Sequence, residues 1–411
     1  MKISTWNLAL AGALVASLAS KAMAGDLVIN TDASDPAPKK AWELIVAGFE
    51  KENPDIKVKL NTFDHEGFKT SIRNFLSADA PDIVTWYAGN RMAPFVKAKL
   101  FADVTDVWTD NKLDDAMKST AASMEMNGKK WGVPYTYYQW GVYYRKDIFQ
   151  ANGIAVPTKW DEFVAACAKL KAAGIIPIAI GTQAPWPAAG WFDYLDLRVN
   201  GYEFHRDLTA GKIPYTDDRV KAVFAKWADL VKPGYFVENS AALKWQDALP
   251  LLTQGKAAMF LLGNFIVAPA KEAGLTDANF GFFPFPEITP GVARAEDAPT
   301  DTVHMPAKAK HKAEAKKFLA YIARADVQAA ANEALGQLPT NNQSAKPNDP
   351  FLQAGFDMLS SASALAQFYD RDAPADMAKA GMEGFQQFLA KPDNVDQILG
   401  ELEKARKRIY K

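Results

Sequence analysis

The alternation of apolar and polar positions sets the first expectations. Leu27-Val28-Ile29 reads as a short strand, followed by a polar loop over 30–36. From about 39 to 51 the apolar residues Trp42, Ile45, Val46 and Phe49 recur at helical spacing, and Asn53-Pro54 ends the run. Residues 56–60 alternate as a strand does, 61–66 form a loop, and 67–77 carry Phe68, Ile72, Phe75 and Leu76 on one helical face. A third strand, 82–86, follows Ala80-Pro81. This β-α-β-α-β order predicts an α/β fold with a parallel sheet and helices on its faces. Further along, the pattern predicts a strand at 131–134, a helix at 160–173 and a buried strand at 175–180. A helix at 218–231 has Val220, Val223, Phe224 and Trp227 as its stripe, and strands follow at 259–262 and 280–285. The remainder, from 312, reads as mainly helical.

In such sheets, ligands lie at the carboxyl ends of strands. The loops 30–35, 61–66 and 86–91 therefore converge on one rim, and they carry Asn30, Asp32, Asp64, His65, Trp86, Tyr87, Asn90 and Arg91. Carboxylates and amides pair with neighbouring hydroxyls, and Trp and Tyr cover flat apolar faces. Taken singly, the polar residues fit turn chemistry or helix capping as well. Residues 135–143 add Tyr135, Tyr137, Tyr138, Trp140 and Tyr143, which suit a stacking site or, equally, a buried strand. The loop 181–187 offers Gln183 and Trp186 at the end of the next strand. Trp191 and Trp245 are further candidates, although Trp191 and Tyr194 have core spacing as well.

Composition narrows the classes. Residues 1–24 read as a secretory signal: Lys2, an apolar run from Leu8 to Ala19, and the small residues Ala22-Met23-Ala24. The 411-residue chain is too long for one compact core and suggests two lobes. Its formal net charge is −1 with no basic face, so nucleic acid and anionic membranes are not expected partners. One cysteine, Cys167, rules out an internal disulfide and lies too far along for an N-terminal lipid anchor. The four histidines have no metal spacing, so no metal or cofactor is expected. Catalytic elbows, phosphate loops and dinucleotide fingerprints are missing from the sequence. A glycosidase-type carboxylate pair stays open, because such pairs are distant in the chain.

Several ordered blocks resemble family 1 extracellular solute-binding proteins of ABC importers. They are Ala80-Pro81-Asp82-Ile83-Val84-Thr85-Trp86, Gly132-Val133-Pro134-Tyr135, Val142-Tyr143-Tyr144-Arg145-Lys146-Asp147-Ile148-Phe149, and Pro157-Thr158-Lys159-Trp160-Asp161-Glu162-Phe163. Residues 245–264, 315–322, Gln328 and Gly336-Gln337-Leu338-Pro339 continue the likeness. The resemblance implies a type II periplasmic binding protein fold with two lobes, each a central β-sheet flanked by helices, joined by a multi-strand hinge. It places a signal peptide at 1–24, one lobe at 25–136 plus 302–337, the other at 137–301 plus 338–411, and a cleft between them. It implies capture of a sugar, sugar alcohol or glycoside in the periplasm by a monomer that delivers it to a membrane permease, without catalysis. It adds Gly263, Asn264, Asp301, His304 and Arg371 to the candidate contacts, and Phe265 stands where the family usually has Trp. A secreted glycoside-processing enzyme is the alternative from another class. The adjacent tyrosines 137–138 and 143–144 are also similar to those of ferric-ion-binding relatives.

Overall fold

The computed structural model describes residues 26–411; the expected signal peptide lies outside them. Two sheets organise these residues. The first has the order Val58–Thr62, Leu27–Thr31, Ile83–Tyr87, Thr300–His304, Val133–Tyr137. Its first three strands are parallel, and Thr300–His304 runs antiparallel to both of its neighbours. The second has the order Phe280–Phe283, Trp140–Arg145, Ala257–Gly263, Ile176–Ala179, with one parallel pair. Each sheet sits in its own large hydrophobic core. Burial on both faces explains why the strands Ile83–Tyr87 and Ala257–Gly263 read as continuous apolar runs.

Local chemistry shifts several boundaries from those read off the pattern. The second helix begins at His65, two residues before Gly67, because the Asp64 carboxylate caps it and accepts from the Gly67 amide at 2.8 Å. The strand expected at 56–60 is Val58–Thr62, in register with Leu27–Thr31; Ile56 is spent in the turn, its amide bonded to the Asn53 carbonyl at 2.9 Å. Pro36 and Pro38 open the helix Pro36–Glu52, where missing amide donors cost nothing, and it buries Ala41, Trp42, Ile45 and Phe49.

The aromatic stretch is built from two strands. Val133–Tyr137 ends the first sheet, and after Tyr138-Gln139 the chain enters the second as Trp140–Arg145. The chain returns at Thr300 and passes Tyr137 again at Leu338, where the two backbones exchange hydrogen bonds of 3.0 and 2.9 Å. Three passages therefore lie side by side between the sheets. Among the described residues, no helix is long and apolar enough to cross a membrane.

Candidate functional site

A cavity of about 910 Å³ opens between the two sheets. Four helices begin at it: Pro36–Glu52, His65–Ser77, Trp186–Val199 and Trp245–Thr253. One wall belongs to the first sheet and is polar, with Asp32, Asp35, Asp64, His65, Glu66 and Lys69. The facing wall belongs to the second and is aromatic, built on Trp186, Trp245 and Phe265, with Gln183 beside them.

The polar wall is wired around Asp32. Its carboxylate accepts from the Thr85 hydroxyl at 2.7 Å and the Tyr87 hydroxyl at 3.3 Å, and His65 Nδ1 lies 3.0 Å away. Burial works against its charge, but the His65 and Thr85 contacts outweigh burial and bring it down to about 2. The aromatic wall is an edge-to-face cluster: Phe265 sits 5.3 Å from Trp245 and 6.0 Å from Trp186. Both tryptophans stay partly open to solvent.

Arg371 closes one end of the cavity. Its guanidinium lies over the Tyr87 ring at 4.1 Å, donates to the Tyr138 hydroxyl and the Thr300 carbonyl at 3.2 Å each, and meets Asp301 at 2.9 Å. The preceding turn holds it there. Phe368 has φ 104°, a conformation strained by about 1–3 kcal/mol for a residue with a side chain. Its ring stacks on Trp140 at 4.8 Å, and the Tyr369 amide donates to the buried Asp193 carboxylate at 2.8 Å. Beside Asp193, His205 is also fully buried. Desolvation disfavours its charge, yet Asp196 at 3.0 Å and Asp193 together raise it to about 10.

Of the residues expected at a ligand, eleven line this cavity, Asp32, Asp64, His65, Tyr87, Tyr138, Trp140, Gln183, Trp186, Trp245, Asp301 and Arg371, and Tyr135 of the aromatic stretch joins them. The other seven do not. Asn30 is buried, accepting from the Asn61 amide at 2.9 Å. Trp86 packs on Phe95 at 5.5 Å and donates to the Arg91 carbonyl at 2.9 Å. Asn90 reaches instead to the Asp372 carbonyl. Trp191 is core, edge-on to Phe236 at 5.0 Å. Gly263 leaves room for the Phe265 and Tyr138 rings, which any Cβ there would strike. Asn264 accepts from the Tyr143 hydroxyl at 3.0 Å and donates to the Gly336 carbonyl. His304 lies buried against Phe101 at 4.3 Å, bonded to the Trp131 carbonyl at 2.7 Å, and burial lowers it to about 4. Trp140 touches the cavity, but Phe368 covers it and only 2% of it is exposed, so it is mostly core. Tyr138, Tyr143 and Tyr144 share the second core, but of the two tyrosine pairs only Tyr138 lines the cavity, so the pairs do not meet there as one ligand set.

Sequence reasoning missed Asp35, Glu66, Lys69, Phe368 and Asp370. The first three sit in the opening turns of the helices at the cavity, a place the strand-end argument already marked. Phe368 and Asp370 carry no local signal.

Comparison with known proteins agrees with this architecture. Residues 33–329 match the family model described as bacterial extracellular solute-binding protein. An uncharacterized ABC transporter extracellular-binding protein of Pyrococcus horikoshii is 30% identical over 337 residues, 79% of this chain and 74% of the relative. The multiple sugar-binding protein of Streptococcus mutans is 29% identical over 289 residues, 68% of this chain and 67% of the relative. Among solved structures, the bacterial solute receptor AcbH, described as having an exclusive preference for β-D-galactopyranose, superposes with TM-score 0.87. It is 30% identical and covers 94% of this chain and 100% of its own. RafE in complex with raffinose, at 22% identity and TM-score 0.78 over 94% of this chain and 100% of its own, shares the fold. The fold is that of type II periplasmic solute-binding proteins, and the chain belongs to the bacterial extracellular solute-binding protein family of ABC transporters.

Proposed function

We propose that this chain captures a sugar, sugar alcohol or glycoside in the cavity and hands it to the membrane permease of an ABC importer from the periplasm, as a monomer and without turning the solute over. The observation that carries this is the pairing of two unlike walls: partly exposed tryptophans on one side and a row of hydrogen-bond acceptors on the other. A pyranose has the same duality, with an apolar ring face and a rim of hydroxyls. The relatives named for sugars support the same reading.

The lobes are proposed as 25–136 plus 302–337 and 137–301 plus 338–411, moving about the three adjacent passages near Tyr137, Thr300 and Leu338. Closure is a hinge equilibrium biased by contacts that the solute completes only when both walls meet it. Asp32, Asp64, His65 and Gln183 are proposed as hydroxyl partners, Trp186 and Trp245 as platforms, and Tyr87, Tyr138, Asp301 and Arg371 as the end of the cavity.

A thermal-shift screen of the purified protein against sugars and polyols tests this, because a ligand of the folded state raises the melting temperature by mass action. The expected result is a concentration-dependent rise with one sugar class, with the sugar recovered intact after incubation. A flat response to every carbohydrate would remove the sugar reading, and a new product would replace binding with catalysis.

A further inference from the structure

The charges around the cavity are arranged in a way that sugar binding alone does not require. Seven carboxylates line it, against three permanent cations and one histidine. Three of those four groups already have a carboxylate partner within the wall. Lys69 Nζ lies 3.2 Å from Glu66, His65 Nδ1 lies 3.0 Å from Asp32, and Arg371 Nη1 lies 2.9 Å from Asp301. Lys244, the fourth, is exposed at the start of the helix Trp245–Thr253.

The helix N-termini tell the same story. The positive end of a helix dipole is an anion site when it is vacant. Here four such ends face the cavity, and three carry the chain's own carboxylate. Asp35 stands at the N-cap of Pro36–Glu52 without a side-chain bond to the helix amides, Asp64 accepts from the Gly67 amide at 2.8 Å, and Asp247 accepts from the Lys244 amide at 3.1 Å. The fourth, Trp186–Val199, has Pro187 in its first turn, which offers no N–H. An anionic solute would therefore find only the exposed Lys244 without a carboxylate partner and would face surplus carboxylates, whereas hydroxyl and ammonium groups would find acceptors.

We propose that the cleft selects by charge: it takes neutral or amine-bearing sugars and rejects those with a carboxylate, sulfonate or phosphate. This rests on the carbohydrate reading. Rejection works through like-charge contact and through the cost of stripping water from an anion with no partner to receive it.

The test is calorimetric and thermal-shift titration of the full protein with matched sets: D-galactose, D-galactosamine and D-galacturonate, the corresponding gluco sugars, and lactose beside lactobionate. The expected result is that a neutral or amino sugar binds and its acid counterpart binds at least about 10-fold more weakly. Acid binding equal to or tighter than the neutral partner would overturn the charge selection and leave the carbohydrate reading standing. Silence across the whole panel would overturn the carbohydrate reading, and this inference with it. Glu66→Gln, a change at an exposed side chain, releases Lys69 and should narrow the galactose-to-galacturonate ratio by a few-fold. A ratio that does not move in that variant would contradict the neutralising role.

Discussion

The two walls of the cavity occupy equivalent places in the fold and solve opposite problems. Both are made where strands end and helices begin. On the first sheet those helix starts carry Asp35, Asp64, which caps an amide, and Glu66, which pairs with Lys69, while Asp32 after the first strand meets His65, leaving a rim of acceptors. On the second, Trp186 and Trp245 head their helices and lean on Phe265, leaving an apolar face. The difference teaches that position in an α/β fold marks where a ligand goes, while the first residue or two of each helix decide what kind of surface it meets.

The comparison can be broken at four points, in descending size of effect. Trp140→Ala should lower the unfolding free energy by about 3–5 kcal/mol in denaturant titrations, since the ring is buried against Phe368 and supports the aromatic wall from behind. Preserved stability with lost binding would instead make Trp140 a platform in its own right.

His304 separates the walls by electrostatics. Burial brings it down to about 4, against an ordinary value near 6.5 in the unfolded chain. Between those limits the unfolded state binds the extra proton, so stability falls as pH drops from about 6.5 towards 4, by up to about 3 kcal/mol. His304→Gln should flatten that slope in melts across the window. The reading is the difference between wild type and variant, since the buried Asp193 carboxylate, raised to about 8 by desolvation, titrates over the same range with the opposite sign; a difference that does not grow towards low pH would contradict the buried, neutral His304.

Trp245→Ala should weaken the bound sugar roughly 10–100-fold by calorimetry, the worth of one stacked aromatic, with the melting temperature of the empty protein little changed. The smallest effect belongs to Gln246, whose amide reaches the Asp35 carboxylate at 3.4 Å across the mouth of the cavity. Gln246→Ala should cost about 3-fold in affinity or less, because the contact is long and exposed.

Much of the polar wall was legible from the residues. The β-α-β-α-β pattern places Asp32, Asp64 and His65 at strand ends without any knowledge of packing. What failed was the choice between neighbours on a strand buried on both faces. Of Trp86 and Tyr87, whose rings lie 4.9 Å apart, only Tyr87 reaches the cavity. Asp301 and His304 differ in the same way: His304 shares its face with Thr302, 2.7 Å away, and Asp301 takes the other. A continuous apolar run hides which parity faces the ligand, and aromatic residues in it look alike whether they stack on a solute or on each other. Phe368 was invisible for another reason: its conformation is imposed by Asp193 and Trp140, 175 and more residues away in sequence, and leaves no mark on its own segment.

The most direct test of divided labour between the walls is a tryptophan-fluorescence titration with the sugar that gives the largest thermal shift. Wild type, Trp186→Ala/Trp245→Ala and Asp64→Asn should be compared. The account predicts a saturable spectral change in the wild type, its loss in the tryptophan variant, and the same change at higher sugar concentration in Asp64→Asn. An unaltered titration in the protein without Trp186 and Trp245 would contradict it.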